Sequence, residues 1–217
     1  MMDTVDLIQG TEEWLQARLG KATASRIADV MAKTKTGWGA GRKNYMAELV
    51  AERLTGAAAE RFTNAAMKWG SDAEPHARAA YEFYRDAEVV EVGFVGHPTI
   101  TMAGASPDGL VGDEGLMEIK CPNTATHIDT LTGKNVEGKY VTQMQFQMAC
   151  TGRIWCDWVS FDPRLPEDLR LFVKRVHADV ERIAELENAV VAFLSELDDM
   201  IAALRPEAQD NTVLAAG

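Results

Sequence analysis

The sequence predicts an α/β fold, a central mixed β-sheet flanked by helices, and three observations carry that prediction. The order of apolar patterns runs helices, then strands, a helix, two further strand-like runs and a last helix. Residues 103–122, Ala-Gly-Ala-Ser-Pro-Asp-Gly-Leu-Val-Gly-Asp-Glu-Gly-Leu-Met-Glu-Ile-Lys-Cys-Pro, read as strand, turn, strand at the centre of that order. At 217 residues and 47% hydrophobic, the chain can bury one good core, so a single domain is expected over residues 1–206. It divides into a helical part (1–60), a sheet-bearing core (61–176) and a C-terminal helix (177–206), with a frayed tail at 207–217.

The first helix starts at Gln9-Gly10-Thr11-Glu12-Glu13-Trp14, with Thr11 as cap and Trp14, Leu15 and Leu19 as its apolar stripe; Gly20 ends it. Thr23-Ala24-Ser25 opens a second helix with Ile27, Val30 and Met31 inward. Residues 36–43 read as a flexible basic loop carrying Trp38, and the Gly-x4-Gly-Lys-Ser/Thr order of a phosphate-binding loop fails there, because Gly41 is followed by Arg42 and Lys43. Residues 44–56 form a helix stopped at Gly56, and residues 63–85 a long one that contains Glu74. Residues 88–104 alternate and give two strands broken at His97-Pro98.

Next comes the central hairpin. Ser106-Pro107-Asp108-Gly109 is turn chemistry, with Pro presetting φ and Gly accepting positive φ, and Asp113-Glu114-Gly115 makes a second turn. Residues 123–138 are polar and read as loop. Residues 139–151 form a helix with Gln143 and Gln147 one turn apart on one face, stopped by Gly152. Residues 154–161 and 169–176 are strands. The last helix, about 178–205, carries Ile183, Leu186, Val190, Phe193, Leu197, Met200 and Leu204 in steps of three and four. Such a stripe either docks on its own domain or meets a subunit or partner.

Composition narrows the class. No apolar run approaches the ~20 residues of a membrane span, and the acidic N-terminus lacks the basic and apolar regions of a signal peptide. Cys121, Cys150 and Cys156 are odd in number and form no Cys-x-x-Cys, so they read as reduced thiols of a cytoplasmic protein and argue against zinc and iron–sulfur sites. The net charge of −11 argues against a generic nucleic-acid binder. Its distribution softens that argument: residues 10–45 hold seven Lys/Arg against three acids, whereas residues 177–217 hold two Arg against nine acids. The basic third could face a polyanion, or its side chains could be no more than solvated helix faces.

One constellation invites chemistry. Period 2 along Leu116–Lys120 puts Glu118 and Lys120 on one face and Met117 and Ile119 on the other, with Asp108 just upstream. Two carboxylates and an ammonium together would make a hard-cation site with a positioned cationic group. The bare pattern recurs by chance, so a solvated edge hairpin is its plain alternative, as a surface acid is for Glu74.

Taken together the motifs are more specific. Trp14, Arg18-Leu19-Gly20, Thr23-Ala24-Ser25, Trp69-Gly70 with Glu74, Ser106-Pro107-Asp108-Gly109, Glu118-Ile119-Lys120-Cys121-Pro122, Tyr140 before Gln143-Met144-Gln145-Phe146, and Asp162-Pro163-Arg164 occur in that order. From about residue 8 to 175 the chain resembles the YqaJ-type viral recombinase family, the family of bacteriophage lambda exonuclease, in the PD-(D/E)XK nuclease superfamily. The resemblance implies a restriction-endonuclease-like core and a 5′→3′ exonuclease on double-stranded DNA ends, leaving 3′ overhangs for recombination. It implies Mg²⁺, with Mn²⁺ as a substitute, held by Asp108, Glu118 and the Ile119 carbonyl. Lys120 would orient the attacking water, Glu74 would serve a second metal or its water, and Gln143 would sit against the site. Arg18 and Ser25, in the helical part, would hold the terminal 5′-phosphate. A homo-oligomer in the form of a trimeric ring, a single-strand annealing partner and a phage origin are implied in the same way. The chain departs from the superfamily's Gln-x-x-x-Tyr element, since the fourth place after Gln143 is Gln147. The rivals are a same-fold endonuclease or exonuclease of other polarity, and a non-catalytic DNA-binding or assembly module using the C-terminal stripe.

Overall fold

The computed structural model describes residues 4–58, 64–133 and 135–205. The N-terminal part holds β1 (Thr4–Val5), α1 (Glu12–Arg18), β2 (Ala22–Thr23), a 3₁₀ turn (Ala24–Arg26), α2 (Ile27–Val30), β3 (Lys33–Thr34), β4 (Gly37–Trp38) and α3 (Ala40–Thr55). There follow α4 (Ala65–Arg85), β5 (Val89–Val90), β6 (Phe94–Gly96), β7 (Ala103–Ala105), β8 (Gly109–Val111) and β9 (Gly115–Lys120). The chain continues through α5 (Thr124–Leu131), α6 (Gly138–Thr151), β10 (Trp155–Phe161), β11 (Leu171–His177) and α7 (Val180–Leu204). The tail expected to fray at 207–217 lies outside the described residues. Among the described residues no helix is long and apolar enough to cross a membrane.

The strands divide between two mixed sheets and a small hairpin rather than lying in one sheet. The larger has the order β11-β10-β9-β8-β5, and its β9–β10 pair is parallel while the other pairs are antiparallel. The smaller has the order β1-β6-β7-β2, with β2 and β7 parallel. Alternation along a sequence marks a strand but does not name its neighbour, and two- and three-residue strands carry little alternation to read. The order also removes the edge-hairpin alternative. Strand β9 is central in its sheet, so its Glu-x-Lys face is covered.

Each face of the larger sheet has its own helix. Helix α4 sets Ala77 and Tyr81 on Met117, Ile119, Val159 and Phe161. Helix α6 sets Met144 and Met148 on Leu116, Cys156 and Trp158 from the opposite side. A further core joins Ile27, Tyr45, Leu49 and Phe146 to the C-terminal stripe residues Leu186, Val190, Phe193 and Leu197. Burying each such side chain contributes about 1.5–3 kcal/mol. The stripe therefore docks on its own chain through those four residues, while Met200 and Leu204 stay exposed.

Three local expectations need correction. Residues 36–43 are not a free loop: β3 and β4 pair as a hairpin, and α3 already begins at Ala40. The guanidinium of buried Arg42 lies over the Trp38 ring at 4.0 Å and bonds Glu196 Oε1 at 3.0 Å. Residues 123–138 are not all loop. Helix α5 starts where the Asn123 side chain accepts the Thr126 N–H at 3.0 Å, and His127 anchors it between Ser160 Oγ at 2.7 Å and the Leu169 carbonyl at 2.9 Å. Tertiary anchors thus override the poor helix propensity of its threonines. Gly109 opens β8 without a positive φ, and a Cβ there would sit 2.2 Å from Val89 Cγ1, so close packing rather than turn geometry excludes a side chain. The left-handed residue of the hairpin is Gly112, φ 53°.

Candidate active site

Strand β9 presents Glu118 to α6, and three donors converge on its carboxylate. Glu118 is only 1% exposed. Its Oε1 accepts from Lys120 Nζ and from Gln143 Nε2 at 2.7 Å, and its Oε2 accepts from Gln147 Nε2 at 2.6 Å. The two glutamines lie one helical turn apart, which is why both reach one carboxylate. Lys120 also sits 5.2 Å from the centre of the Tyr140 ring.

Asp108 arrives from the turn between β7 and β8. Its Oδ2 accepts the Ile119 N–H at 2.6 Å, which ties that turn to β9. Two N-terminal side chains hold the turn from the other side. Trp14 Nε1 donates to Ser106 Oγ at 3.0 Å, and Gln9 Nε2 donates to the Val92 and Pro107 carbonyls, each at 2.9 Å. Glu74 comes from α4, bonded to Arg78 at 3.2 Å. A cleft of about 520 Å³ opens here, lined by Glu74, Asp108, Ile119, Lys120, Cys121 and Tyr140 among others.

The electrostatics follow from the crowding. Burial first, and then the neighbouring Glu118 charge, push Asp108 well above the usual carboxylate range. Burial raises Glu74 as well; Arg78 opposes the rise and Glu118 adds to it. For Lys120, burial alone would lower the ammonium, but Glu118 and Asp108 outweigh it and raise it. The Cys121 thiol is pushed up to about 12, chiefly by burial, which leaves it a poor nucleophile.

The structure brings Asp108, Glu118, Ile119, Lys120, Glu74 and Gln143 to one place. Arg18 reaches the same turn: its Nη1 lies 3.5 Å from Ser106 Oγ, and its guanidinium stacks 4.0 Å from the centre of the Trp14 ring. Ser25 is exposed on the 3₁₀ turn. Because β2 runs parallel to β7, with Thr23 opposite Gly104, Ser25 and Ser106 leave the sheet at the same end. The sequence reading paired Gln147 with Gln143 on one face but missed its bond to Glu118. Gln9 was missed altogether; a lone glutamine before a helix cap carries no signal of its distant partners.

The donor chemistry suits a small, hard cation. Among the described residues no three His, Cys, Asp or Glu side chains form a ready-made ligand cage. Mg²⁺ does not require one, since it binds through one or two carboxylates and keeps several waters. Asp108 and Glu118 would suit that mode, and a divalent ion held by them would relieve the repulsion that raises Asp108.

A family model for the YqaJ-like viral recombinase domain matches residues 13–154, which span α1 to α6 and both carboxylates of the pair. The chain belongs to the YqaJ-like viral recombinase family. Among solved structures, this YqaJ-like chain is similar to the alkaline exonuclease LHK-Exo from Laribacter hongkongensis. The two are 56% identical over 90% of this chain and 96% of that one, with a TM-score of 0.84. The same exonuclease in complex with dAMP matches with the same figures. A phage-related exonuclease from Haemophilus somnus 129PT, 16% identical over 85% of this chain and 96% of that one, has a TM-score of 0.65 and speaks for the fold alone. No curated protein matches. The fold is the restriction-endonuclease-like α/β fold, and the YqaJ-like chain is an enzyme, a DNA nuclease of the exonuclease type.

Proposed function

We propose that this YqaJ-like nuclease is a Mg²⁺-dependent 5′→3′ exonuclease on double-stranded DNA ends, leaving 3′ single-stranded overhangs for phage-type recombination. The convergence of Asp108 and Lys120 in one cleft, with Glu118 bonded to Lys120 behind it and Arg18 at the turn that carries Asp108, supports this reading most directly. Asp108, Glu118 and the Ile119 carbonyl would hold the ion, and Glu74 would serve a second one. Bound there, Mg²⁺ would supply Lewis-acid charge at the phosphoryl oxygens and lower the pKa of the attacking water. Lys120 holds a fixed positive charge where negative charge develops on the phosphate. Gln143 orients Glu118. Arg18 and Ser25 would grip the terminal 5′-phosphate, Arg18 with a planar guanidinium suited to two phosphate oxygens.

In this reading residues 1–60 carry the end-binding part, 61–176 the catalytic core and 177–206 the closing helix. A trimeric ring around the duplex, a single-strand annealing partner and a bacterial cytoplasmic location belong to the same reading and rest on the family. The deciding experiment uses linear duplex labelled at either the 5′ or the 3′ ends, with Mg²⁺ or EDTA, beside a closed circle. Mg²⁺-dependent release of the 5′ label with an intact circle is expected. Release of the 3′ label first would reverse the polarity, cutting of the circle would make it an endonuclease, and cleavage in EDTA would remove the metal.

A further inference from the structure

Gln147 lies fully buried on α6. It follows Phe146 and precedes Met148, and all three are fully or almost fully buried. Among the described residues its amide uses one end only: Nε2 donates to Glu118 Oε2 at 2.6 Å, while Oε1 has no hydrogen-bond partner. A buried amide oxygen without a partner is costly. A side chain kept only to fill this space would be apolar, as Met144 and Met148 are on the same helix. The amide is therefore there for its donor, and the donor has one target.

The count of acceptor positions shows what that bond does. An ionised carboxylate offers about four lone-pair sites. On Glu118, Lys120 and Gln143 take two sites on Oε1, and Gln147 takes one on Oε2. One site remains, on Oε2.

We propose that Gln147 is a positioning residue that fixes the rotation of the Glu118 carboxylate, so that it offers a single open lone pair, on Oε2, to the catalytic cation. Glu118 would then hold the cation through one oxygen only. This inference rests on the cation site proposed above. Without Gln147, Oε2 loses its anchor from α6. The carboxylate can turn about its terminal bond, and the ion meets a ligand whose orientation is no longer set. Loss of such an orienting partner typically lowers metal affinity by about 10–100-fold.

The test compares the wild type, Gln147→Met and Glu118→Ala. Mn²⁺ binding to the DNA-free protein is followed by electron paramagnetic resonance, with cation-free melting curves and steady-state kinetics on duplex DNA alongside. The expectation for Gln147→Met is Mn²⁺ affinity lowered about 10–100-fold, kcat lowered with it, KM for DNA unchanged and a folded protein without cation. Unchanged Mn²⁺ affinity in Gln147→Met beside lost affinity in Glu118→Ala would overturn the clamp while leaving the cation site standing. Wild-type affinity in Glu118→Ala would overturn the cation site and the clamp with it. If Gln147→Met does not fold, Gln147→Asn, which keeps the amide but is too short to reach Glu118, gives the same readout.

Discussion

Buried carboxylates lie on both sides of the β9–β10 pair, and the protein provides for them in opposite ways. Asp157 on β10 and Asp162 just after it are each 0% exposed, as buried as Glu118 on β9. Asp157 receives Arg175 through two nitrogens at 2.8 and 2.9 Å, the Tyr81 hydroxyl at 2.8 Å and Arg85 at 3.4 Å. Asp162 receives Arg164 through Nε at 2.7 Å and Nη2 at 3.0 Å, and Thr124 Oγ1 at 2.6 Å. Here cations outnumber acids. In the cleft the balance is reversed: Glu74, Asp108 and Glu118 face Lys120 and Arg78. A buried acid with its own arginines is a structural staple; in the proposed reading, one short of positive charge would serve as a ligand for an ion. Glu118 is as buried as the two stapled aspartates, so burial alone does not separate the two places, and the balance of cations to acids does.

The sharpest way to break that contrast is to remove one acid from each side. Asp108→Ala and Glu118→Ala should each reduce cleavage to the no-enzyme background, measured as acid-soluble nucleotide released from linear duplex. Asp157→Asn should lower the melting temperature while leaving kcat of the folded protein as it was. Cleavage at wild-type rate in either cleft variant would show that the carboxylates short of positive charge are not ligands.

Lys120→Ala comes next in size. It takes the fixed cation out of the cleft without touching a carboxylate, so kcat should fall by about 10²–10³-fold and duplex affinity far less. An equal loss in both would make Lys120 an anchor for phosphate rather than a partner in the chemistry.

How far this division was legible in the sequence depended on the range of the interactions. Local signals were readable. Thr11 caps α1, Gly56 and Gly152 close α3 and α6 in left-handed geometry, and period 2 placed Glu118 and Lys120 on one face. The α7 stripe named four of the residues that α7 buries, Leu186, Val190, Phe193 and Leu197, but also the exposed Met200 and Leu204. The staple network was invisible, because Tyr81, Arg85, Asp157 and Arg175 meet only through sheet pairing and the seating of α4. Helix α5 was lost for the same reason, since Ser160 and Leu169 hold His127 from more than thirty residues away. The candidate site residues come from ordered motifs rather than from geometry, which is why Gln143 is among them and Gln147, one turn on, is not.

Arg18→Ala tests whether cation-rich places all serve stability. Arg18 stands between the regions: stacked on Trp14, near Ser106, and at the edge of the turn that carries Asp108. A hydrogen bond to a charged group contributes about 1.5–3 kcal/mol, or roughly 10–100-fold in rate or affinity. The variant should lose that much of its preference for 5′-phosphorylated over 5′-hydroxyl ends, measured by competition between the two duplexes. A preference retained in full would place Arg18 among the staples.

The smallest effect concerns the staple at Asp162. Burial would raise this carboxyl, but the hydrogen bonds from Arg164 and Thr124 outweigh it and hold it at about 2, against an ordinary 3.8. A depressed carboxyl contributes stability above the unfolded value, and the contribution is lost as pH falls toward the folded one. Nearly two units would correspond to about 2 kcal/mol, but the Arg164 side chain is 46% exposed, and solvent screening brings the expectation to about 1 kcal/mol. Urea midpoints of the wild type and Asp162→Asn should therefore differ at pH 7, with roughly half of the gap gone by pH 3, while the cleavage rate of the folded variant is unchanged. A gap that stays constant from pH 7 to pH 3 would mean that Asp162 acts through its shape and hydrogen bonds alone. Charge pairing would then no longer distinguish the staples from the cleft.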